Sequence, residues 1–261
     1  MIEPVASVGD PRIADYAHVG DPAWLRGRDL FVAEGRLVVR RLLDAGRYPL
    51  HSILLTPSAL RSFDPPLETD APVFVAEQEV LNGIAGFNFH RGCVALARRL
   101  PDDPSSERFL AADLLLAIEG VGNPDNIGGL LRVAAAFGVG GVLLDPTTGD
   151  PFYRKAVRTS MGAVLNLPFG RATPWPGVLD HFKKGNFTVV ALTPAPDARL
   201  LADFAGEKHG ALLLMVGSEG PGLSQAAQAA ADVRVRIPIA EGIDSLNVVV
   251  AAGIALSRLT G

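Results

Sequence analysis

The chain has one cysteine, Cys93. A single thiol can form neither an intramolecular disulfide nor a cysteine-based metal cluster. Its five histidines, His18, His51, His90, His181 and His209, show no HExxH pair and no ligand spacing, so no metal is expected. No uninterrupted apolar run is long enough to span a bilayer, and no membrane role is expected. The first residues, MIEPVASVGDPR, have neither a basic n-region nor an apolar h-region. No secretory leader is expected there, and a cytoplasmic location follows as the default. There is no excess of basic charge: 24 Lys+Arg stand against 28 Asp+Glu, a net −4, which argues against binding nucleic acid by bulk charge. No GxxxxGK[ST] phosphate loop and no GxSxG elbow occur, and GNPDNIGG has the wrong spacing for GxGxxG. Phosphate-loop, dinucleotide and serine-hydrolase chemistries are thereby disfavoured.

What is present is apolar and regularly punctuated. Hydrophobic residues make up 48% of 261, enough for a sizeable core. PDDPSSERF, at 101–109, is polar and lies between apolar runs, so it reads as a linker. It divides a domain at 1–100 from one at 111–261, with the linker at 101–110. In the first, FVAEG (31–35) leads into an amphipathic helix, RLVVRRLLDAG (36–46), with Gly46 as a C-cap; SILLT (52–56), PVFVA (72–76) and CVALAR (93–98) read as strands. Arg26, Arg28, Arg36, Arg40, Arg41 and Arg47 form a local basic cluster, read either as a solvated helix face or as a phosphate-facing patch.

In the second domain, strand-like runs at 113–120, 141–145, 187–193, 211–217 and 233–239 alternate with helical segments at 127–137, 151–162, 174–184, 224–231 and 246–259. That alternation predicts a parallel sheet covered on both faces, with its ligand beyond the carboxyl ends of the strands.

Three loops at those ends stand out. EGVGNPDNIGG (119–129) precedes a helix with one charge, Arg132, in an otherwise apolar wall. Asp125 or Asn126 is a candidate N-cap. A helix apolar all round is expected to be buried, and a buried guanidinium needs an anionic partner. VGSEGPGLS (216–224) bends sharply at three glycines and carries Glu219, a candidate for that partner. IPIAEGIDSLNVVVAAGIALSRL (237–259) opens an apolar helix that Asp244 or Ser245 is expected to cap. Asn247 then sits one residue too deep for a simple cap, and its amide needs partners if buried.

In this order the three loops resemble the three motifs of the SpoU/TrmH family of RNA ribose 2′-O-methyltransferases, in the SPOUT superfamily. NPDNIGGLLRVAAAFG is similar to the first motif through Asn126, Gly128, Arg132 and Phe137-Gly138. VGSEGPGLS is similar to the second through Gly217, Glu219, Gly220 and Gly222. IPIAEGIDSLNVVVAAGIAL is similar to the third through Ile237-Pro238, Gly242, Ser245, Leu246 and Asn247. DPFYRKAVRTSMGAVLNLPF (150–169) matches the stretch between motifs one and two. Less tightly, FVAEG and GCVALARR (92–99) resemble the family's N-terminal RNA-binding domain, which has a ribosomal-protein-like fold.

The resemblance implies an α/β fold: a C-terminal parallel-sheet domain tied in a trefoil knot, plus a smaller N-terminal α/β RNA-binding domain. It implies S-adenosylmethionine held in the knot near Thr193, Gly217, Ile237 and Leu246. It implies a homodimer whose partner subunit completes each site. It implies methyl transfer to a ribose 2′-hydroxyl of structured RNA, ribosomal RNA before transfer RNA, served by Asn126, Arg132, Glu219, Ser245 and Asn247. Arg132 is expected to anchor the phosphate beside the target ribose, because a guanidinium pKa above about 12 makes a poor base. Glu219 is expected to hold Arg132 before RNA arrives, with Asn126 and Asn247 orienting the arginine or the ribose. The alternative is a non-catalytic RNA-binding or ribosome-assembly protein that retains this fold; the intact Asn126, Arg132, Glu219 and Asn247 argue against it.

Overall fold

The computed structural model describes residues 2–85, 92–100, 104 and 107–261. They form two compact units. The first comprises residues 1–100 together with 151–166; the second comprises 101–150 and 167–261. A stretch placed by sequence in the second domain, 151–166, therefore packs with the first. Of the linker expected at 101–110, Glu107–Leu110 is a short helix, and the remainder apart from Pro104 lies outside the described residues.

In the first unit the strands are β1 (Ile2–Pro4), β2 (Leu30–Glu34), β3 (Leu50–Leu55), β4 (Val73–Val75) and β5 (Cys93–Arg98), in sheet order β1-β4-β3-β5-β2. The helices are α1 (Pro22–Gly27), α2 (Arg36–Ala45), α3 (Pro57–Arg61) and α4 (Gln78–Ala85). Asp21 caps α1 and Thr56 caps α3, each accepting backbone N–H bonds. Gly46, left-handed at φ 58°, ends α2 as its pattern predicts. β2 is an edge strand, yet all five of its residues are buried. The reason lies in 151–166: Phe152 stacks on Phe31 with centroids 4.4 Å apart, and α7 (Arg154–Thr159) packs on β2. An apolar edge strand so covered is protected from further pairing. Cys93 is buried in this core, which pushes its thiol up to about 12 and leaves it unreactive.

The second unit carries α5 (Glu107–Leu110), β6 (Leu114–Glu119), α6 (Pro124–Ala136), β7 (Gly141–Leu144), β8 (Phe169–Arg171), α8 (Leu179–Lys184), β9 (Thr188–Leu192), β10 (Arg199–Leu200), α9 (Leu201–Ala205), β11 (Leu212–Gly217), α10 (Gln225–Ala230), β12 (Val233–Arg236) and α11 (Val248–Leu259). Its strands pair in parallel in the order β10-β12-β9-β11-β6-β7-β8. β6 and β7 are buried throughout, which is why they read as continuous apolar runs. β8 and β10 are two or three residues long, too short for a periodic signal. α11 lies on α6, where Gly129 leaves room for Val249. A Cβ on Gly129 would overlap that valine, so close helix approach requires glycine here.

Candidate functional site

β12, β9 and β11 are adjacent, and a cleft opens beyond their carboxyl ends. It is lined by Leu192–Pro194 at the end of β9, Val216–Gly220 at the end of β11, Ile237 and Ile239 after β12, and Ser245, Leu246, Val248 and Ala251 at the entrance of α11. The four residues expected near a cofactor, Thr193, Gly217, Ile237 and Leu246, thus share one wall system with Glu219 and Ser245. Thr193 is buried; its N–H donates to the Val235 carbonyl at 2.9 Å and its hydroxyl accepts from Ala195 N–H at 3.3 Å. The backbone at the cleft wall is therefore held by β12 on one side and by its own turn on the other.

Two helix starts meet at the mouth. α6 begins three residues earlier than its apolar pattern suggests: Asn123 is the N-cap, accepting from Asp125 N–H at 2.9 Å, and Pro124 follows at N1. Neither Asp125 nor Asn126 is the cap, and the Asn126 side chain is free for other work. α11 is capped by Asn247 itself, whose Oδ1 accepts from Val249 and Val250 N–H at 3.0 and 3.4 Å. The cap expected at Asp244 or Ser245 is corrected accordingly, since the helix starts at Val248. With its oxygen turned into the helix, the Asn247 amide points outward. Nδ2 donates to Asn126 Oδ1 at 3.1 Å and to Glu219 Oε1 at 2.6 Å. One asparagine thus ties together all three motif loops.

Arg132 does not join this cluster. α6 buries Asn126, Ile127, Gly128, Leu130, Leu131 and Ala134, and it turns Arg132, Ala135 and Ala136 to solvent. The expected buried guanidinium is an exposed one, because alanine and glycine populate both faces and hide the amphipathic period. Nor does Glu219 hold it: no hydrogen bond or ion pair joins Arg132 to any described residue, and the Glu219 carboxylate is taken by Asn247. Ser245 lies exposed on the cleft wall, with no hydrogen bond to its side chain among the described residues.

The family model for SpoU rRNA methylases matches residues 113–257, the whole stretch that builds this cleft. A protein of Mycobacterium bovis named as an uncharacterized tRNA/rRNA methyltransferase is 37% identical over 99% of the chain and 92% of its own length. The chain belongs to the SpoU rRNA methylase family. Its fold is that of an rRNA methyltransferase from Sinorhizobium meliloti solved with AdoMet bound, at TM-score 0.83 and 24% identity over 99% of this chain and 97% of that one. An RNA 2′-O ribose methyltransferase of known structure is similar at TM-score 0.74 and 27% identity, over 98% of both chains.

The cleft of this SpoU-family chain suits a nucleoside sulfonium by its donor set. Its walls are mostly aliphatic side chains and glycine-loop backbone, with no lysine or arginine among the lining residues. A phosphate-bearing nucleotide would lack a cationic partner there, whereas a planar base and a cationic sulfonium need none, and Glu219 is on the wall. Among the described residues no group of three His, Cys, Asp or Glu is placed to hold a metal.

Asp145, just past β7, was not singled out by sequence reasoning. It is 3% exposed and accepts from Gly120 N–H at 2.9 Å and from the N–H and hydroxyl groups of Thr147 and Thr148. Burial alone would raise its pKa, but these bonds, Gly120 first, outweigh burial and hold it below 3.8. Arg171 donates to the Asp145 and Gly149 carbonyls at 2.9 and 3.2 Å and closes the same loop. The effect is to fix the start of the Gly120–Asn123 segment ahead of α6. The available signal was a carboxylate ending an all-apolar strand, GVLLD.

In the first unit the arginine cluster separates by role. Arg40 bonds the Pro65 carbonyl, Arg41 bonds the Met161 carbonyl, and Arg28 and Arg47 lie over the Trp24 and Tyr48 rings. These four serve the fold. Arg36, at the first turn of α2, is exposed with no hydrogen bond or ion pair among the described residues, and it lines a polar pocket with Thr56, Ser58, Ser62, Gln78 and Gly92.

Proposed function

We propose that this RNA methyltransferase transfers the methyl group of S-adenosylmethionine to a ribose 2′-hydroxyl of structured RNA, ribosomal RNA before transfer RNA. The observation that carries the reading is the Asn126–Asn247–Glu219 cluster at the mouth of a cation-free cleft. The bound cofactor supplies an already activated methyl, so the protein has to align the reactants and let one proton leave. Thr193, Gly217, Ile237 and Leu246 hold the cofactor against the strand ends. Asn247, whose amide is taken up by Asn126, Glu219 and the start of α11, fixes the Asn126 side chain, and the Asn126 Nδ2 is left to meet the ribose. Ser245 shapes the third loop.

Arg132 clamps the phosphate beside the target ribose, a planar bidentate task that suits a guanidinium. It does so across a homodimer interface. Support comes from exposed apolar residues on the helix that packs against α6: Val250 is 50% and Ile254 37% exposed on α11. Apolar exposure on this helix is compatible with association of two copies. The free Arg36 pocket supports RNA binding by the first unit, since one unpaired guanidinium at an open helix N-terminus attracts a backbone phosphate. The trefoil knot and the cytoplasmic location belong to the same reading; among the described residues no helix is long and apolar enough to cross a membrane.

The test is to map 2′-O-methyl nucleotides in ribosomal and transfer RNA from cells with and without the gene, and to restore the missing mark in vitro. A ribose methyl lost in the deletion and restored by pure protein is expected; a base methyl would overturn the 2′-O assignment. Arg132→Lys keeps the charge and loses the fork. Turnover is expected to fall about 100-fold while cofactor affinity holds. Near-normal turnover would remove Arg132 from the mechanism.

A further inference from the structure

Glu119 closes β6 and is 8% exposed. Its Oε1 accepts from Trp175 Nε1–H at 2.7 Å and from the Ser224 hydroxyl at 2.7 Å; its Oε2 accepts from Ser224 N–H at 2.7 Å. No cation is paired with it among the described residues. A buried carboxylate held only by neutral donors is a costly way to end an apolar strand unless its position matters.

Its position relates to one loop. Gly217, the last residue of β11, pairs with Glu119 across the sheet. From there the chain runs through Ser218, Glu219 and Gly220, the residues that wall the cleft, and returns to the same carboxylate through Ser224. The neck of the loop is closed where Gly217 meets the backbone of Gly222 and Leu223, and Gly222 N–H donates to the Ser218 carbonyl at 3.0 Å. Ser224 Oγ also accepts from Ala227 N–H at 3.1 Å, which starts α10. One end of the loop is therefore registered against the Glu119 backbone and the other is held by the Glu119 carboxylate, and Trp175 shares the oxygen that holds that second end.

We infer that Glu119 is a positioning residue for cofactor binding, acting through Ser224 on the 217–224 loop, and that Trp175 reports the state of that loop. The inference rests on the reading of this cleft as the cofactor site.

The experiment measures S-adenosylhomocysteine binding by calorimetry, alongside Trp175 emission in a Trp24→Phe background, which removes the chain's other tryptophan. Glu119→Gln and Ser224→Ala are expected to weaken binding about tenfold. Ser224→Thr, which keeps the hydroxyl, and Trp175→Phe, which keeps both Ser224 bonds, should stay within about twofold of wild type. Saturating ligand should shift Trp175 emission in the parent and not in Ser224→Ala. At saturating cofactor and RNA, kcat should hold while KM for the cofactor rises. Ser224 is exposed, so its variants remain informative if Glu119→Gln does not fold. Ala251→Phe, which fills the cleft, separates the two layers. Should it leave binding intact, the cleft assignment fails and the inference with it. Should it abolish binding while Ser224→Ala binds normally, or while Trp175 emission ignores the ligand, the inference alone fails.

Discussion

A single amide explains much at the residue scale. Asn247 is read from sequence as too deep for a cap, but it caps α11 with its oxygen and bridges Asn126 and Glu219 with its nitrogen. Spacing alone could not show this, because two functions sit on opposite ends of one side chain. Asp145 is the second case, and it carries a pH prediction. Its folded pKa lies below 3.8, so its stabilising contribution is present above that value and is lost as pH falls through the lower folded one. Asp145→Asn should cost about 1–3 kcal/mol near neutrality, because one oxygen becomes a donor facing donors. Melting curves of both proteins from about pH 6 down to about pH 3 should converge toward the acid end. A gap that stays constant would show that charge is irrelevant there.

At the element scale, the glycine loop after β11 was legible as a bend and not as a closed ring. The missing information was the return path, because Gly222 and Leu223 come back against Gly217. Gly217→Ala places a methyl in the backbone of those residues, which has no flexible end to move aside. Cofactor binding should be lost, and the midpoint of thermal unfolding should fall, by the equivalent of about 1–3 kcal/mol. A fully active Gly217→Ala enzyme would mean that the neck opens at no cost. α6 shows the opposite limit of pattern reading. Its glycines and alanines made both faces look apolar, and only tertiary packing, α11 included, distinguished the buried side from the side that bears Arg132.

For the whole molecule, the alternation of strands and helices made the parallel sheet legible, and three spaced loops made the family legible. The borrowing of 151–166 by the first unit was not, because an inserted helix has the same local pattern whichever sheet it covers. The apolar face of α11 is the matching question at this scale. Val250→Glu and Ile254→Glu put charge on exposed positions and should leave the fold intact. If this face joins two copies, sedimentation should shift from dimer to monomer and methyl transfer should fall with it. A chain that is monomeric before substitution, or dimeric after it, would remove the interface from this face.

What the sequence determined by itself was whatever depends on local order: the strand–helix alternation, the glycine bends, and the residue types at the strand ends. The tertiary structure decided which of those residues meet. It gave Asn247 its two distant partners, Asn126 and Glu219, left Arg132 in solvent, and set Glu119 and Asp145 under the loops as hydrogen-bond acceptors. The physical reason is that a carboxylate or an amide is identified by its partners. In a parallel sheet those partners come from strands that are neighbours in space and far apart in the chain.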